Sequence, residues 1–175
     1  KNPDGIIVAV GCYVQAAKEQ LEEDTLIDLV IGNNMKSQVV QIVEQYIQDN
    51  RHTEDRDAYV ADIAHSHEYE TMHIEMVSEH TRAYIKIQDG CNQFCSYCII
   101  PYARGRVRSR KMEDILQEVR NLTANGYKEI VLTGIHISSY GLDFEHTADE
   151  QEDYGPFKNS ALIDLIEALS GIEGL

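Results

Sequence analysis

The feature that most limits the possible folds is an alternation of strand-like and helix-like segments that occurs twice along the chain. The first occurrence runs strand, helix, strand, helix at residues 5–10, 16–23, 25–32 and 37–48. The second occurrence repeats this order at residues 81–88, 112–126, 128–137 and 160–172. Such alternation is typical of a parallel sheet covered by helices. The sequence therefore predicts an α/β fold in two pieces.

The segment between the two pieces, residues 49–80, interrupts the alternation. It is polar and acidic, contains five of the seven histidines, and shows only weak alternation in MHIEMV (72–77). We interpret it as a linker with room for one edge strand.

The charge of the chain is strongly negative and unevenly distributed. The formal net charge is −15, which by itself argues against nucleic acid as a partner, because phosphate binding requires basic residues. However, four of the fifteen basic residues fall within seven positions, at Arg104, Arg106, Arg108 and Arg110. No apolar run is long enough to cross a bilayer, and the cytoplasm is the expected compartment.

Three of the four cysteines are crowded into one polar loop, DGCNQFCSYC, directly after the strand predicted at 81–88. Cys91, Cys95 and Cys98 have the spacing C-x3-C-x2-C. A [4Fe–4S] cluster takes four ligands, so three thiolates leave one iron open to a substrate or cofactor. The spacing therefore favours a reactive iron–sulfur site.

Other interpretations of this loop use fewer of its cysteines. A zinc site or a redox dithiol built on Cys95 and Cys98 leaves Cys91 without a role. Buried, inert thiols are disfavoured by the polar neighbours Asn92, Gln93 and Ser96. A non-catalytic electron carrier would need a fourth cysteine nearby, and the acidic balance disfavours a zinc-dependent nucleic-acid-binding module.

The cysteine loop also carries a family resemblance. With Tyr97 before the third cysteine, C-x3-C-x-aromatic-C resembles the signature of radical S-adenosylmethionine enzymes. Together, DGCNQFCSYCIIPYARGRVRSR and KEIVLTGIHISSYG resemble the methylthiotransferase branch, most of all its enzymes for N6-threonylcarbamoyladenosine in tRNA. The resemblance implies a partial flavodoxin-like parallel sheet (1–48), then the first βα units of an open radical-SAM barrel (81–175).

The same resemblance implies an activity. Cys91, Cys95 and Cys98 would hold the cluster that binds S-adenosylmethionine, and the chemistry would take place at the cluster without an acid or base side chain. The product would be the adenosine at position 37 of tRNA, methylthiolated at C2, with flavodoxin or ferredoxin as electron donor. Relatives acting on isopentenylated adenosine or on an aspartate of a ribosomal protein leave other substrates open.

VAVGCYVQ (8–15) is similar to the last cysteine motif of the family's N-terminal domain. Cys12 would then be one of three ligands of an auxiliary [4Fe–4S] cluster whose other two ligands are absent here, so the intact protein would hold two clusters. Because the chain begins with Lys1 and stops where another strand is expected, we expect an interior piece of a longer protein. Such a piece should be inactive and should associate through its exposed sheet edge.

Further site residues are expected around the cluster. Tyr97 would lie beside the cofactor, with ordinary packing as the alternative. Thr133, Gly134 and His136 end a predicted strand, where parallel α/β folds bind ligands, although a lone histidine there is often structural. If extended, Arg104, Arg106, Arg108 and Arg110 would form a positive strip for phosphate or carboxylate, with at least two facing the site; the alternative is pairing with the chain's own acids.

Overall fold

The chain divides into two compact units that do not follow the order of the sequence. A computed structural model describes residues 5–49, 58–66, 69–70, 82–144 and 160–175. The first unit combines Lys1–Ser66 with Gln93–Gly105, and the second combines His67–Asn92 with Arg106–Leu175. The segment Gln93–Gly105, which contains two of the three loop cysteines, therefore belongs to the first unit.

The first unit is built on a parallel sheet of three short strands, which lie in the order β1-β2-β3. The strands are β1 (Val8–Val10), β2 (Leu29–Ile31) and β3 (Ala58–Tyr59). The helices are α1 (Cys12–Ala16), α2 (Lys18–Glu23), α3 (Val39–Gln48) and α4 (Ile100–Arg104). The predicted alternation of strands and helices is confirmed, although the strands are shorter than the apolar runs suggested.

The core of this unit forms where α3 covers the sheet. Leu29 and Ile31 of β2 are buried against Ile42 of α3, and Val39 and Val43 pack around them. These α3 positions are spaced three and four residues apart, so they share one helix face. The apolar spacing seen in the sequence is therefore the face that the sheet buries.

The first part of the predicted linker contains one edge strand, for which the prediction left room, but this strand belongs to the first sheet. Ala58–Tyr59 pairs in parallel with Val30 and Ile31 of β2, so the first sheet extends past residue 48. A strand of two residues is too short to show alternation, which explains why no sequence pattern marks it. The weakly alternating segment 72–77 lies outside the described residues.

The second unit pairs two longer parallel strands. β4 (Arg82–Asp89) lies beside β6 (Glu129–Gly134), and helix α5 (Met112–Ala124) connects them. A short strand, β5 (Arg108–Ser109), pairs antiparallel with the end of β4, giving the order β5-β4-β6. Helix α6 (Ala161–Ser170) packs against α5. The predicted βα units are confirmed, but β5 makes the sheet mixed.

The core of the second unit lies between this sheet and its two helices. Its buried residues come from β4, α5, α6 and two loops: Ile85, Ile87, Ile115, Val119, Leu122, Tyr127, Tyr140, Leu165 and Leu169. Ile130 and Leu132 of β6 are partly buried against them. The helix α5 ends as the sequence predicts, with Gly126 at a φ of 96°. The amides of Gly126 and Tyr127 donate to the carbonyls of Thr123 and Leu122, which is the Schellman arrangement. Among the described residues, no helix is long and apolar enough to cross a membrane.

Candidate metal centre

The cysteine loop begins at the carboxyl end of β4, in the second unit. Gly90 follows the strand with a φ of 71°, a conformation that favours glycine. The Asp89 carboxylate accepts the Gly90 amide at 2.9 Å, which closes a tight turn. Cys91 comes next and is partly exposed. The strand therefore delivers Cys91 to the edge where parallel sheets bind their ligands.

The other two loop cysteines belong to the first unit. The Cys98 amide donates to the Cys95 carbonyl at 2.9 Å, so a turn separates the two thiols. Phe94, directly before Cys95, has a φ of 47°, which is unusual for a bulky residue. Its ring meets Tyr102 of α4 edge to face, with centroids 5.5 Å apart. This aromatic contact packs the Phe94 side chain against α4 directly before Cys95.

The donor set fits an iron–sulfur cluster. All four cysteines are free, Cys95 is exposed, and Cys91 and Cys98 are partly exposed. Soft thiolates are the ligands that such clusters use. In the described part of the chain, no three His, Cys, Asp or Glu side chains are already grouped as a metal site. The ligand set therefore rests on the chemistry and spacing of the three thiols.

Cys12 begins helix α1 in the first unit, directly after Gly11. The Asn33 amide group donates to the Cys12 sulfur at 3.6 Å and also to the carbonyl of Ala103 in α4. Asn33 is 4% exposed. It therefore connects the first helix to the helix that follows the cysteine loop, a role that sequence reasoning missed. An asparagine just past a strand has the signal of a turn residue, which hides such a role.

Tyr97 is 90% exposed. Ordinary packing, the alternative interpretation of this residue, is therefore not observed. The ring is accessible to a ligand, and contact with a cofactor stays a prediction.

Thr133, Gly134 and His136 follow one another at the end of β6, as predicted. The Thr133 hydroxyl donates to the Ile85 carbonyl at 3.3 Å. The His136 imidazole Nδ1 lies 2.6 Å from the Ser139 hydroxyl, so the ring is held within its own turn. These contacts support a structural part for both side chains, and their contact with a cofactor stays a prediction.

Gln88 is a second residue that sequence reasoning missed. It is fully buried, and its side chain bonds to backbone groups at the ends of both β4 and β6. A polar residue at the end of an alternating strand has the sequence signal of a solvent-facing position. Only the pairing of β4 with β6 shows otherwise.

The expected strip of four arginines is not observed, because the segment is not extended throughout. Arg104 ends helix α4 in the first unit, whereas the other three lie in the second unit. Arg106 is exposed, but Arg108 and Arg110 are only 2% and 3% exposed. Arg108 lies 3.8 Å from the Asp89 carboxylate, and Arg110 forms an ion pair with Glu118. For these two arginines the structure shows the alternative interpretation, pairing with the chain's own acids.

The burial of Arg108 affects the ionisable groups at the start of the cysteine loop. Burial lowers the pKa of Arg108, while Asp89 acts in the opposite direction. The Lys86 ammonium also contacts Asp89, at 2.6 Å. Burial raises the pKa of the nearby Tyr69 to about 12, so this phenol is neutral at physiological pH. Asp89 is thus a carboxylate held between two cations, one residue before Gly90.

Comparison with known proteins assigns the class. The family model of the Radical SAM superfamily matches residues 85–167, which contain the second half of β4, the cysteine loop, α5 and β6. Residues 85–167 belong to this superfamily, and the resemblance of the cysteine motif is confirmed.

Within that class, the chain is similar to methylthiotransferases. It is 40% identical over 143 residues to the threonylcarbamoyladenosine tRNA methylthiotransferase MtaB of Aquifex aeolicus, which covers 82% of this chain and 34% of the relative. It is 38% identical over 149 residues to the tRNA-2-methylthio-N(6)-dimethylallyladenosine synthase of Carboxydothermus hydrogenoformans, covering 83% and 32%. It is 34% identical over 169 residues to the ribosomal protein uS12 methylthiotransferase RimO of Dictyoglomus thermophilum, covering 96% and 34%.

These relatives share a class of reaction and differ in substrate. The chain spans about a third of the length of each of the three. The activity, substrate and partners of the whole protein are therefore matters of proposal.

Proposed function

We propose that the protein is a radical S-adenosylmethionine methylthiotransferase that modifies C2 of N6-threonylcarbamoyladenosine at position 37 of tRNA. The observation that carries the proposal is the loop of three free cysteines directly after a parallel strand, in a chain similar to methylthiotransferases. The transferase class is supported by all three relatives described above. The particular substrate is supported by the stretch LTGIHISSYG and by one of those relatives.

Cys91, Cys95 and Cys98 would hold a [4Fe–4S] cluster together with S-adenosylmethionine. When bound, this pair supplies the one-electron cleavage of the sulfonium that begins the reaction. The three thiols leave one coordination position for the cofactor, because a four-iron cluster takes four ligands. The protein's own part is to position the cluster and the cofactor, and no acid or base side chain is assigned.

The remaining site residues would bind cofactor and substrate. Tyr97 offers an exposed ring for contact with the adenine of the cofactor. Thr133, Gly134 and His136 would contribute backbone groups at the end of β6. Of the four arginines, Arg106 is exposed in the second unit, which supports a contact with RNA phosphate.

Cys12 would be one ligand of an auxiliary [4Fe–4S] cluster, so that the intact protein would contain two clusters. Its support is its position at the start of α1, after a glycine and next to the Asn33 amide. We further propose a cytoplasmic enzyme that receives electrons from a donor such as flavodoxin or ferredoxin.

The proposal is tested by analysing the nucleosides of tRNA. The gene is deleted in its host, and tRNA is digested and examined by mass spectrometry. We expect the methylthiolated form of threonylcarbamoyladenosine to disappear and threonylcarbamoyladenosine without the methylthio group to accumulate. Complementation with a variant in which Cys95 is replaced by Ala should not restore the modification, whereas the unaltered gene should.

Two other outcomes would redirect the proposal within the class. Loss of the methylthio group from isopentenylated adenosine would assign that substrate instead. Loss of the modification from an aspartate of ribosomal protein uS12 would assign a protein substrate. An unchanged pattern in both tRNA and ribosomal protein would contradict a methylthiotransferase.

A further inference from the structure

Gln88 is turned into the protein by an irregularity at the end of β4. Along this strand Arg82, Tyr84 and Lys86 are exposed, and simple alternation would expose residue 88 as well. The pairing with β6 changes register here: Lys86 lies opposite Thr133, but Gln88 lies opposite Gly134. One extra residue in β4 therefore moves Gln88 to the buried side, where it is 0% exposed.

Both the nitrogen and the oxygen of the buried Gln88 side-chain amide form hydrogen bonds. Its nitrogen donates to the Asp89 and Gly90 carbonyls, at 2.7 Å each. Its oxygen accepts the His136 amide at 2.9 Å. The first two bonds fix the backbone immediately before Cys91. The third fixes the backbone two residues after Gly134.

Gly134 lies directly against the Gln88 side chain. A Cβ at position 134 would lie 3.0 Å from the Gln88 Oε1 and 3.1 Å from the Gln88 Cβ. It would also lie 3.3 Å from the Gln88 backbone oxygen. Because these distances are shorter than ordinary carbon contacts, a side chain at 134 would require Gln88 to shift by a few tenths of an ångström. The absence of a side chain at Gly134 therefore leaves room for Gln88 in the position from which it accepts the His136 amide.

We propose that Gln88 is a positioning residue that sets the distance between the Cys91 backbone and the Gly134–His136 backbone. This inference rests on the proposed function, in which the first segment holds the cluster and the second contacts S-adenosylmethionine. Because the Gln88 side chain bonds to both segments, it fixes the distance between them. Cofactor affinity then depends on Gln88, although its side chain contacts neither cluster nor cofactor.

The first test replaces Gln88 by Met, which has similar length and no hydrogen-bonding amide. The full-length protein is reconstituted anaerobically, and its iron content and its dissociation constant for S-adenosylmethionine are measured. We expect near-normal iron content and an increase of about tenfold in the dissociation constant, because three bonds that align the two segments are lost. The change that S-adenosylmethionine causes in the electron paramagnetic resonance spectrum of the reduced cluster should also be diminished.

A matched control makes the same chemical change away from the site. Gln117 lies on the exposed side of α5 and bonds to Asn121 at 3.0 Å. Gln117→Met should leave both the iron content and the dissociation constant unchanged. A merely structural glutamine would lower stability in Gln88→Met without changing the affinity of the molecules that remain folded.

A second variant probes the glycine. Gly134→Ala should weaken S-adenosylmethionine binding through its clash with Gln88. If the two residues act through one contact, Gln88→Met combined with Gly134→Ala should cost less than the sum of the single effects. Simple additivity would contradict the coupling.

The outcomes separate this inference from the proposed function. If the unaltered protein takes up no iron, the proposed function fails. If it binds cluster and cofactor, and Gln88→Met binds the cofactor equally well, only the inference fails. Should Gln88→Met not fold, hydrogen exchange of the His136 amide in the unaltered protein decides. Slow exchange is expected for a donor to a buried oxygen, and exchange as fast as in an exposed loop would overturn the proposal.

Discussion

Asp89 and the arginines after the cysteine loop differ in whether their charges are paired within the protein. Asp89 accepts Lys86 and lies near Arg108, while Arg110 forms an ion pair with Glu118. Buried pairs of this kind contribute little net stability, but removal of one partner is costly. We therefore expect Arg108 and Arg110 to stabilise the folded protein, and Arg106 to bind a ligand.

This division predicts opposite behaviour for two arginine variants. Arg110→Met removes the cation beside the mostly buried Glu118 carboxylate and should lower the free energy of unfolding by about 3 kcal/mol. Arg106→Met should change that free energy by less than about 0.5 kcal/mol. It should instead weaken tRNA binding and reduce the slope of log affinity against log salt by about one.

Urea denaturation and tRNA binding at several salt concentrations measure both effects. Weaker tRNA binding by Arg110→Met at unchanged stability, with no effect of Arg106→Met, would contradict this division.

Tyr140 makes the free energy of unfolding depend on pH in the alkaline range. The residue is fully buried, and burial raises its pKa to about 12 from an ordinary value of about 10. The folded state therefore keeps the phenol protonated where the unfolded chain has lost the proton. The resulting stabilisation is complete below pH 10 and is lost as the pH rises towards 12.

Tyr140→Phe should therefore reduce the fall in stability between pH 10 and 12 by on the order of 2 kcal/mol. Part of the fall should remain, because burial raises the pKa of Tyr69 to about 12 as well. Unfolding by urea at a series of pH values measures the effect. Tyr13→Phe, at a position 68% exposed, is the control and should keep the full fall. An identical pH profile in Tyr140→Phe would show that this phenol does not contribute.

At the level of elements, the end of helix α5 provides a test of local backbone conformation. Gly126 has a φ of 96°, and a Cβ added there would have no atom within 4 Å, so Gly126→Ala would suffer backbone strain without a clash. We expect a loss of about 1 kcal/mol in the free energy of unfolding. Gly171, at the end of α6, has a φ of −81° and ordinary contact at 3.5 Å. Gly171→Ala should be neutral or slightly stabilising, and equal losses in the two variants would contradict the explanation.

The elements also show which parts of the fold were predictable. The spacing of Val39, Ile42 and Val43 located α3, and the Asn125–Gly126 pair located the end of α5, because both patterns are local. The strands β3 and β5 have two residues each, and so carry no periodicity. They form only because β2 and β4 offer neighbouring edges. Partners distant in sequence therefore determined what local patterns did not.

The candidate site was predictable to the same degree. The three cysteines are identified by their spacing, which requires no knowledge of the fold. The inward position of Gln88 depends on a register change against a strand more than forty residues away. The pairing of Arg110 with Glu118 likewise depends on how α5 packs. Alternation alone placed the arginines on one face and could not show which of them acids neutralise.

For the whole molecule, the boundary between the two compact units falls inside the cysteine motif. Cys91 belongs to the second unit, and Cys95 and Cys98 belong to the first. Within the described sheets, β6 has no strand on its outer side. An open edge of this kind favours pairing with another chain, so self-association at high concentration stays a prediction for sedimentation analysis.

The proposed function depends on Cys91, Cys95 and Cys98 holding a four-iron cluster with one position open to S-adenosylmethionine. The most direct measurement is the iron content of anaerobically reconstituted protein, with electron paramagnetic resonance before and after S-adenosylmethionine is added. We expect about four iron atoms to be lost when any of the three cysteines is replaced by Ala. The spectrum should change with the cofactor, and this response should persist in Cys12→Ala. One zinc ion without iron, or a response to the cofactor that survives replacement of all three cysteines, would contradict the proposal.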